Sequence, residues 1–94
     1  QEGNLNNCIR DLKENNIWVV GLDEKGLVNY YDFDCSVPLA VVVGNEGHGI
    51  RKLVKQNCDQ LLQIPLYGKI QSLNASVATG ILLFEIARQR NLLR

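Results

Sequence analysis

Ninety-four residues, 46% of them hydrophobic, suffice for one compact domain and leave no room for two. Ten Lys plus Arg balance ten Asp plus Glu, and a formal net charge of zero excludes strong non-specific attraction to nucleic acid by the chain as a whole. Cys8, Cys35 and Cys58 stand apart with no CxxC pair or histidine cluster, which argues against a metal site or a disulfide framework and suits a reducing, cytoplasmic setting.

Residues 5–16 place Leu5, Cys8, Ile9 and Leu12 at helical spacing, with Asp11, Lys13 and Glu14 opposite, and predict an amphipathic helix ended by Asn15 and Asn16. Ile17, Trp18, Val19 and Val20 follow without polar alternation, as in a strand covered on both faces. Residues 21–34 read as a loop with one short helical turn near Tyr30 and Tyr31. Residues 39–43 form a second apolar strand, stopped by Gly44-Asn45-Glu46-Gly47-His48-Gly49, after which Ile50, Leu53 and Val54 recur at helical spacing. Residues 61–64 form a third strand closed by Pro65. Residues 73–89, rich in Ala, Leu and Ile, predict a largely buried final helix in which Gly80 signals close approach to another backbone. Strands alternating with helices predict an α/β fold with a mostly parallel sheet.

No apolar run approaches the ~18 residues of a membrane span, so no membrane partner is expected. The cysteines read as semi-buried thiols, and Arg51, Lys52, Lys55, Arg88, Arg90 and Arg94 as solvated helix faces or local basic patches. The chain contains no Met and enters helix-like sequence almost at once, so it is expected to be a slice of a longer protein. Domains this short hide only about 60–65% of the surface that their unfolded form exposes, so a missing segment or a partner subunit would add stability.

In open parallel sheets a ligand lies beyond the carboxyl ends of the strands. Two loops occupy such positions. The first, residues 44–49, has three glycines in six residues and lets a ligand approach the main chain. Its G-x-x-G-x-G order is neither a Walker A loop nor the dinucleotide fingerprint, and a plain strand-to-helix turn is the bland alternative. The second, residues 64–76, joins a strand to the long helix through Ser72 and Asn74, either of which can also cap that helix.

Together, the run from Leu39 through Gly49 and the segments Ile64-Pro65-Leu66-Tyr67-Gly68 and Ser72-Leu73-Asn74-Ala75-Ser76 through Glu85 resemble the second and third motifs of the SpoU family of RNA ribose methyltransferases, in the SPOUT superfamily. That resemblance implies a mostly parallel sheet flanked by helices with a deep trefoil knot, S-adenosylmethionine as cofactor, and an RNA substrate, ribosomal and guanosine more than transfer RNA. It also implies a homodimer that uses the last helix. Carried onto this chain, the cofactor-binding positions are Gly44, Asn45, Ile64, Leu66 and Leu73, and the catalytic candidates are Glu46, Asn74 and Ser72. His48 is assigned to the loop. The first motif, with the arginine thought to handle the hydroxyl proton, has no counterpart in these 94 residues. The alternative reading is therefore a catalytically silent module of the same fold, binding a nucleotide-like ligand or serving dimer assembly.

Overall fold

A computed structural model describes residues 2–44, 49–65 and 75–92. In chain order the elements are α1 (Glu2–Glu14), β1 (Trp18–Leu22), β2 (Val28–Asn29), a 3-10 turn (Tyr30–Asp32), β3 (Leu39–Val42), α2 (Lys52–Asn57), β4 (Gln60–Gln63) and α3 (Ala75–Gln89). The four strands form one sheet in the order β2-β4-β1-β3, and every pairing is parallel. The expected α/β class holds, and the three predicted strands are found with ends shifted by a residue or two. Among the described residues no helix is long and apolar enough to cross a membrane.

β1 is the centre of the sheet, and its alternation divides the core. Val19 and Val20 are both fully buried, on opposite faces as successive strand residues must be. Val19 packs with Ile9, Ile50 and Val54 beneath α1 and α2, with Leu12, Ala40 and Val42 at the margin. Val20 packs with Leu62 and Leu82 beneath α3, joined by Leu22, Val28, Tyr30, Phe33, Leu39, Val41 and Ile86. The sheet is thus covered by α1 and α2 on one side and by α3 on the other.

Both long helices end alike. Asn16 (φ 62°) and Asn91 (φ 58°) take the left-handed conformation two residues past the last helical residue. Ile17 N–H then donates to Leu12 C=O (3.0 Å) and Asn16 N–H to Lys13 C=O (3.0 Å), while Leu92 donates to Ala87 (2.9 Å) and Asn91 to Arg88 (3.1 Å). This paired 6→1 and 5→2 arrangement satisfies carbonyls that the helix leaves open, and Asn tolerates the positive φ better than other side-chain-bearing residues.

Several expectations need correction. Leu5 and Cys8 are exposed, and the position they were expected to share is taken by Asn6, buried and accepting a 2.6 Å hydrogen bond from Asn57 of α2. A polar bridge between the two helices therefore sits where an apolar stripe was read. Cys35 is buried and Cys58 half-buried, so the expectation for the thiols holds for Cys58 alone. Residues 21–34 contain the expected helical turn at Tyr30–Asp32 and also β2, which joins the sheet outside β4. Leu53 is exposed rather than part of the core. α3 is not largely buried: Leu82 and Glu85 face inward, but Val77, Leu83 and Phe84 are open, Phe84 at 69%. A Cβ on Gly80 would meet nothing within 4 Å, so no close backbone explains that glycine.

Polar contacts hold the C-terminal half of α3 to the segment before β3. The Glu85 carboxylate, 8% exposed, accepts from Arg88 Nε (2.8 Å) and Nη2 (2.7 Å) and from Gln89 Nε2 (2.7 Å). Gln89 Nε2 also donates to Phe33 C=O (2.9 Å), and its Oε1 accepts from Cys35 N–H (2.7 Å). Arg90 donates to the carbonyls of Cys35 (2.8 Å) and Val37 (2.7 Å). Arg88 and Arg90 thus make specific contacts while both remain exposed, Arg88 with 64% of its side chain open to solvent. The donors from Arg88, then those from Gln89, hold the Glu85 carboxyl down at about 2 against an ordinary 4.5. A folded-state pKa below the unfolded one contributes stability that is complete above pH 4.5 and lost as pH falls through about 2. Glu85→Gln replaces a charge-assisted acceptor and is expected to cost about 1.5 kcal/mol at neutral pH, a fall in Tm of roughly 8 °C for a domain of this size. Thermal melts from pH 7 to pH 2 check this: the wild type should lose its advantage over the variant across the acid range.

Candidate functional site

The sheet topology marks one place where a ligand crevice is expected. β3 leads into α2 on one face, whereas the chain after β4 leads into α3 on the other, and β1 lies between the two strands. Chains leaving neighbouring strand ends for opposite faces open a gap above the carboxyl edge, where ligands settle in such sheets. Register fixes what surrounds the gap. Gly21 stands beside Val42 on one side and Leu61 on the other. Two residues further along each strand, Gly44, Asp23 and Gln63 reach the same level, with Ile64 one step beyond. Gly44 and Ile64 are separated by the width of β1, about 10 Å across two strand spacings.

Gly44 and Ile64 therefore follow the carboxyl ends of β3 and β4, the two strands that flank β1. Ile64 and Pro65 are half-buried directly after β4. The other assigned positions, Asn45, Glu46, Leu66, Ser72, Leu73 and Asn74, lie outside the described residues, as do His48 and the segment expected to thread the knot.

Glycine is demanded at position 44 for a reason the sequence did not reveal. A Cβ there would fall 2.2 Å from the carbonyl carbon of Gly49 and 2.5 Å from the amide nitrogen of Ile50, both main-chain atoms. The return limb of the glycine turn crosses directly over Gly44, and any side chain would displace that limb before a ligand were met. Gly49 itself has φ 67°, in the left-handed region that glycine enters at no steric cost. The turn is therefore closed on itself at its base. Its two ends are held together by main-chain packing, and Ile50 immediately anchors the return limb in the core with 5% exposure.

Asp23 is a neighbour of this turn that the sequence reading left within the 21–34 loop. Its amide donates to Leu62 C=O (3.0 Å), its Oδ2 accepts from Lys25 N–H (3.2 Å), and its Oδ1 pairs with Lys55 Nζ of α2 (3.1 Å). The only signal in the sequence was its place, one residue past the apolar run of a central strand.

A second hollow, of about 370 Å³, is lined by Ile9, Arg10, Lys13, Glu14 and Asn57. These residues lie on α1 and at the end of α2, near the amino ends of β1 and β4, so the hollow opens at the edge opposite the crevice. Among the described residues no group of three or more His, Cys, Asp or Glu is placed to hold a metal ion.

Comparison with known proteins identifies the family. The 23S rRNA (guanosine-2'-O-)-methyltransferase RlmB of Haemophilus influenzae is 51% identical over 88 residues, which are 93% of this chain and 36% of that protein. The SpoU methyltransferase AviRb of Streptomyces viridochromogenes, solved in complex with AdoMet, superposes with a TM-score of 0.84 at 32% identity over 99% of this chain and 38% of that one. The TrmH/SpoU tRNA modifying enzyme of A. aeolicus superposes with a TM-score of 0.81 at 37% identity, over 90% of this chain and 44% of that one. The chain spans about a third of the length of the curated relatives it matches. The sequence pattern of the SpoU rRNA Methylase family matches residues 1–84, and with the sheet order, the crevice and these likenesses it shows that the chain belongs to that family.

Proposed function

We propose that this chain forms the cofactor-binding part of an S-adenosylmethionine-dependent RNA 2'-O-ribose methyltransferase, acting on ribosomal RNA at guanosine. The observation that carries the reading is the crevice over β1, with Gly44 and Ile64 on its two sides, in a chain whose folded neighbour AviRb is described with AdoMet. The 51% likeness to RlmB supports the ribosomal and guanosine assignment over transfer RNA.

The described strand ends fit an adenosyl group. Ile64, half-buried directly after β4, and Val43, exposed directly after β3, supply aliphatic surface at the strand ends that flank β1. When bound, the cofactor supplies an electrophilic methyl group on a sulfonium. In this reading Gly44, Asn45, Ile64, Leu66 and Leu73 hold it through main-chain hydrogen bonds and apolar contact. Glu46, Asn74 and Ser72 orient the ribose hydroxyl and the groups that draw off its proton. A deep trefoil knot formed by the segment after Pro65 belongs to the same proposal, as does a reducing, cytoplasmic setting.

The same reading includes a homodimer. Val77, Leu83 and Phe84 expose apolar surface on α3, and Gly80 adds no side chain there, which suits the close approach of a second helix.

Calorimetric titration of the full-length protein with S-adenosylhomocysteine is expected to show one site per chain, and tritium transfer to transcribed 23S rRNA to exceed that to transfer RNA at least tenfold. Binding without transfer to any RNA would instead favour a silent module. Phe84→Glu is expected to shift the sedimentation of the full-length protein from dimer to monomer at micromolar concentration, because a charge on that face would have to be desolvated on pairing. An unchanged sedimentation coefficient would remove α3 from the interface.

A further inference from the structure

Asp23 occupies the middle of the crevice edge. It continues β1, the strand between the two that carry Gly44 and Ile64, and its own amide still pairs with Leu62 of β4 at 3.0 Å. Its carboxylate is 11% exposed, unusual for an aspartate in a bend, and both oxygens are used. Oδ2 accepts the Lys25 amide at 3.2 Å, which shapes the bend, and Oδ1 meets Lys55 Nζ at 3.1 Å. Lys55 lies in the last turn of α2, the helix that the return limb of the glycine turn enters.

One observation connects this ion pair to the glycine turn. On the return limb, a Cβ placed on Gly49 would lie 3.9 Å from Asp23 Oδ1, so the carboxylate is in van der Waals range of that residue's open side. Lys55 binds the same oxygen from α2. The pair therefore links β1, the base of the glycine turn and the helix that follows it.

We propose that Asp23 and Lys55 form a positioning pair that holds Gly49, at the base of the glycine turn, against β1 and so sets the affinity for the adenosyl cofactor. The proposal rests on the reading of the crevice as the cofactor site. Neither residue touches the reacting atoms in this account. Losing either charge frees the turn to sample other shapes, and the cost of ordering it again appears as weaker binding. Chemistry in the saturated complex is left in place, so the loss falls on KM and Kd for the cofactor and not on kcat.

The test uses full-length protein with Asp23→Asn, Lys55→Met, both together, and Lys55→Arg, each measured for Kd toward S-adenosylhomocysteine, KM and kcat with S-adenosylmethionine, and Tm. Each single loss is expected to raise Kd and KM about tenfold with kcat within about twofold, and the double variant to be no worse than either single, as members of one pair behave. Lys55→Arg, which keeps the charge, is expected to return Kd to within about threefold of wild type. Lowered Tm with Kd and KM unchanged would make the pair a structural brace only and overturn the proposal. Single losses that multiply in the double variant would overturn the pairing. Should Asp23→Asn fail to fold, Lys55→Met carries the measurement, because its side chain is a third exposed. Wild-type protein that binds no S-adenosylhomocysteine would overturn the crevice reading and this proposal together, an outcome distinct from wild-type binding that the variants share.

Discussion

Everything in this domain is organised by the double burial of β1. A strand that is paired on both edges and covered on both faces must satisfy each peptide group through its neighbours and each side chain through a packed layer. β1 does so with β3 and β4 on its edges, Val19 under α1 and α2, and Val20 under α3. Even its first residues are accommodated: before β4 begins, the side chain of Asp59 accepts from Val19 N–H (2.8 Å) while the Asp59 amide donates to Val19 C=O (2.7 Å), so a side chain extends the ladder. Lys13 Nζ lies 3.8 Å from the same carboxylate and donates to Asn57 C=O (3.1 Å), which ties the end of α1 to the end of α2.

The crevice follows from that arrangement. β1 is central and its flanking strands feed helices on opposite faces, the arrangement in which ligands settle beyond the carboxyl edge. Nothing about the chemistry of Gly44 or Ile64 alone would place a ligand there. At the base of the glycine turn Gly44 and Gly49 meet in main-chain contact, and Ile50 is buried immediately after it.

The strands were legible because runs of β-branched and aliphatic residues in a sheet buried on both faces have almost no alternative placement. Helix ends were legible at Asn16 for a local reason, the tolerance of Asn for positive φ. β2 was not, since Val28 and Asn29 carry no periodicity and become a strand only because β4 offers a free edge. The inward side of α1 was misread because Asn6 is buried by virtue of Asn57, 51 residues away, and a helical wheel cannot see a partner at that distance. The outward side of α3 was misread for the converse reason. Apolar spacing predicts burial, whereas Leu83 and Phe84 are left uncovered.

Composition and order alone were enough for the parallel α/β class, the three long strands, the two loops at their carboxyl ends and the likeness to SpoU proteins, because these depend on local periodicity and contiguous motifs. Sheet order, the crossing of the glycine turn over Gly44, the clamp from Glu85 and Gln89 to Phe33 and Cys35, and the meeting of Asp23 with Lys55 came from the folded structure. Each joins residues distant in the chain, and such a contact has no signature until packing brings its two halves within a few ångströms.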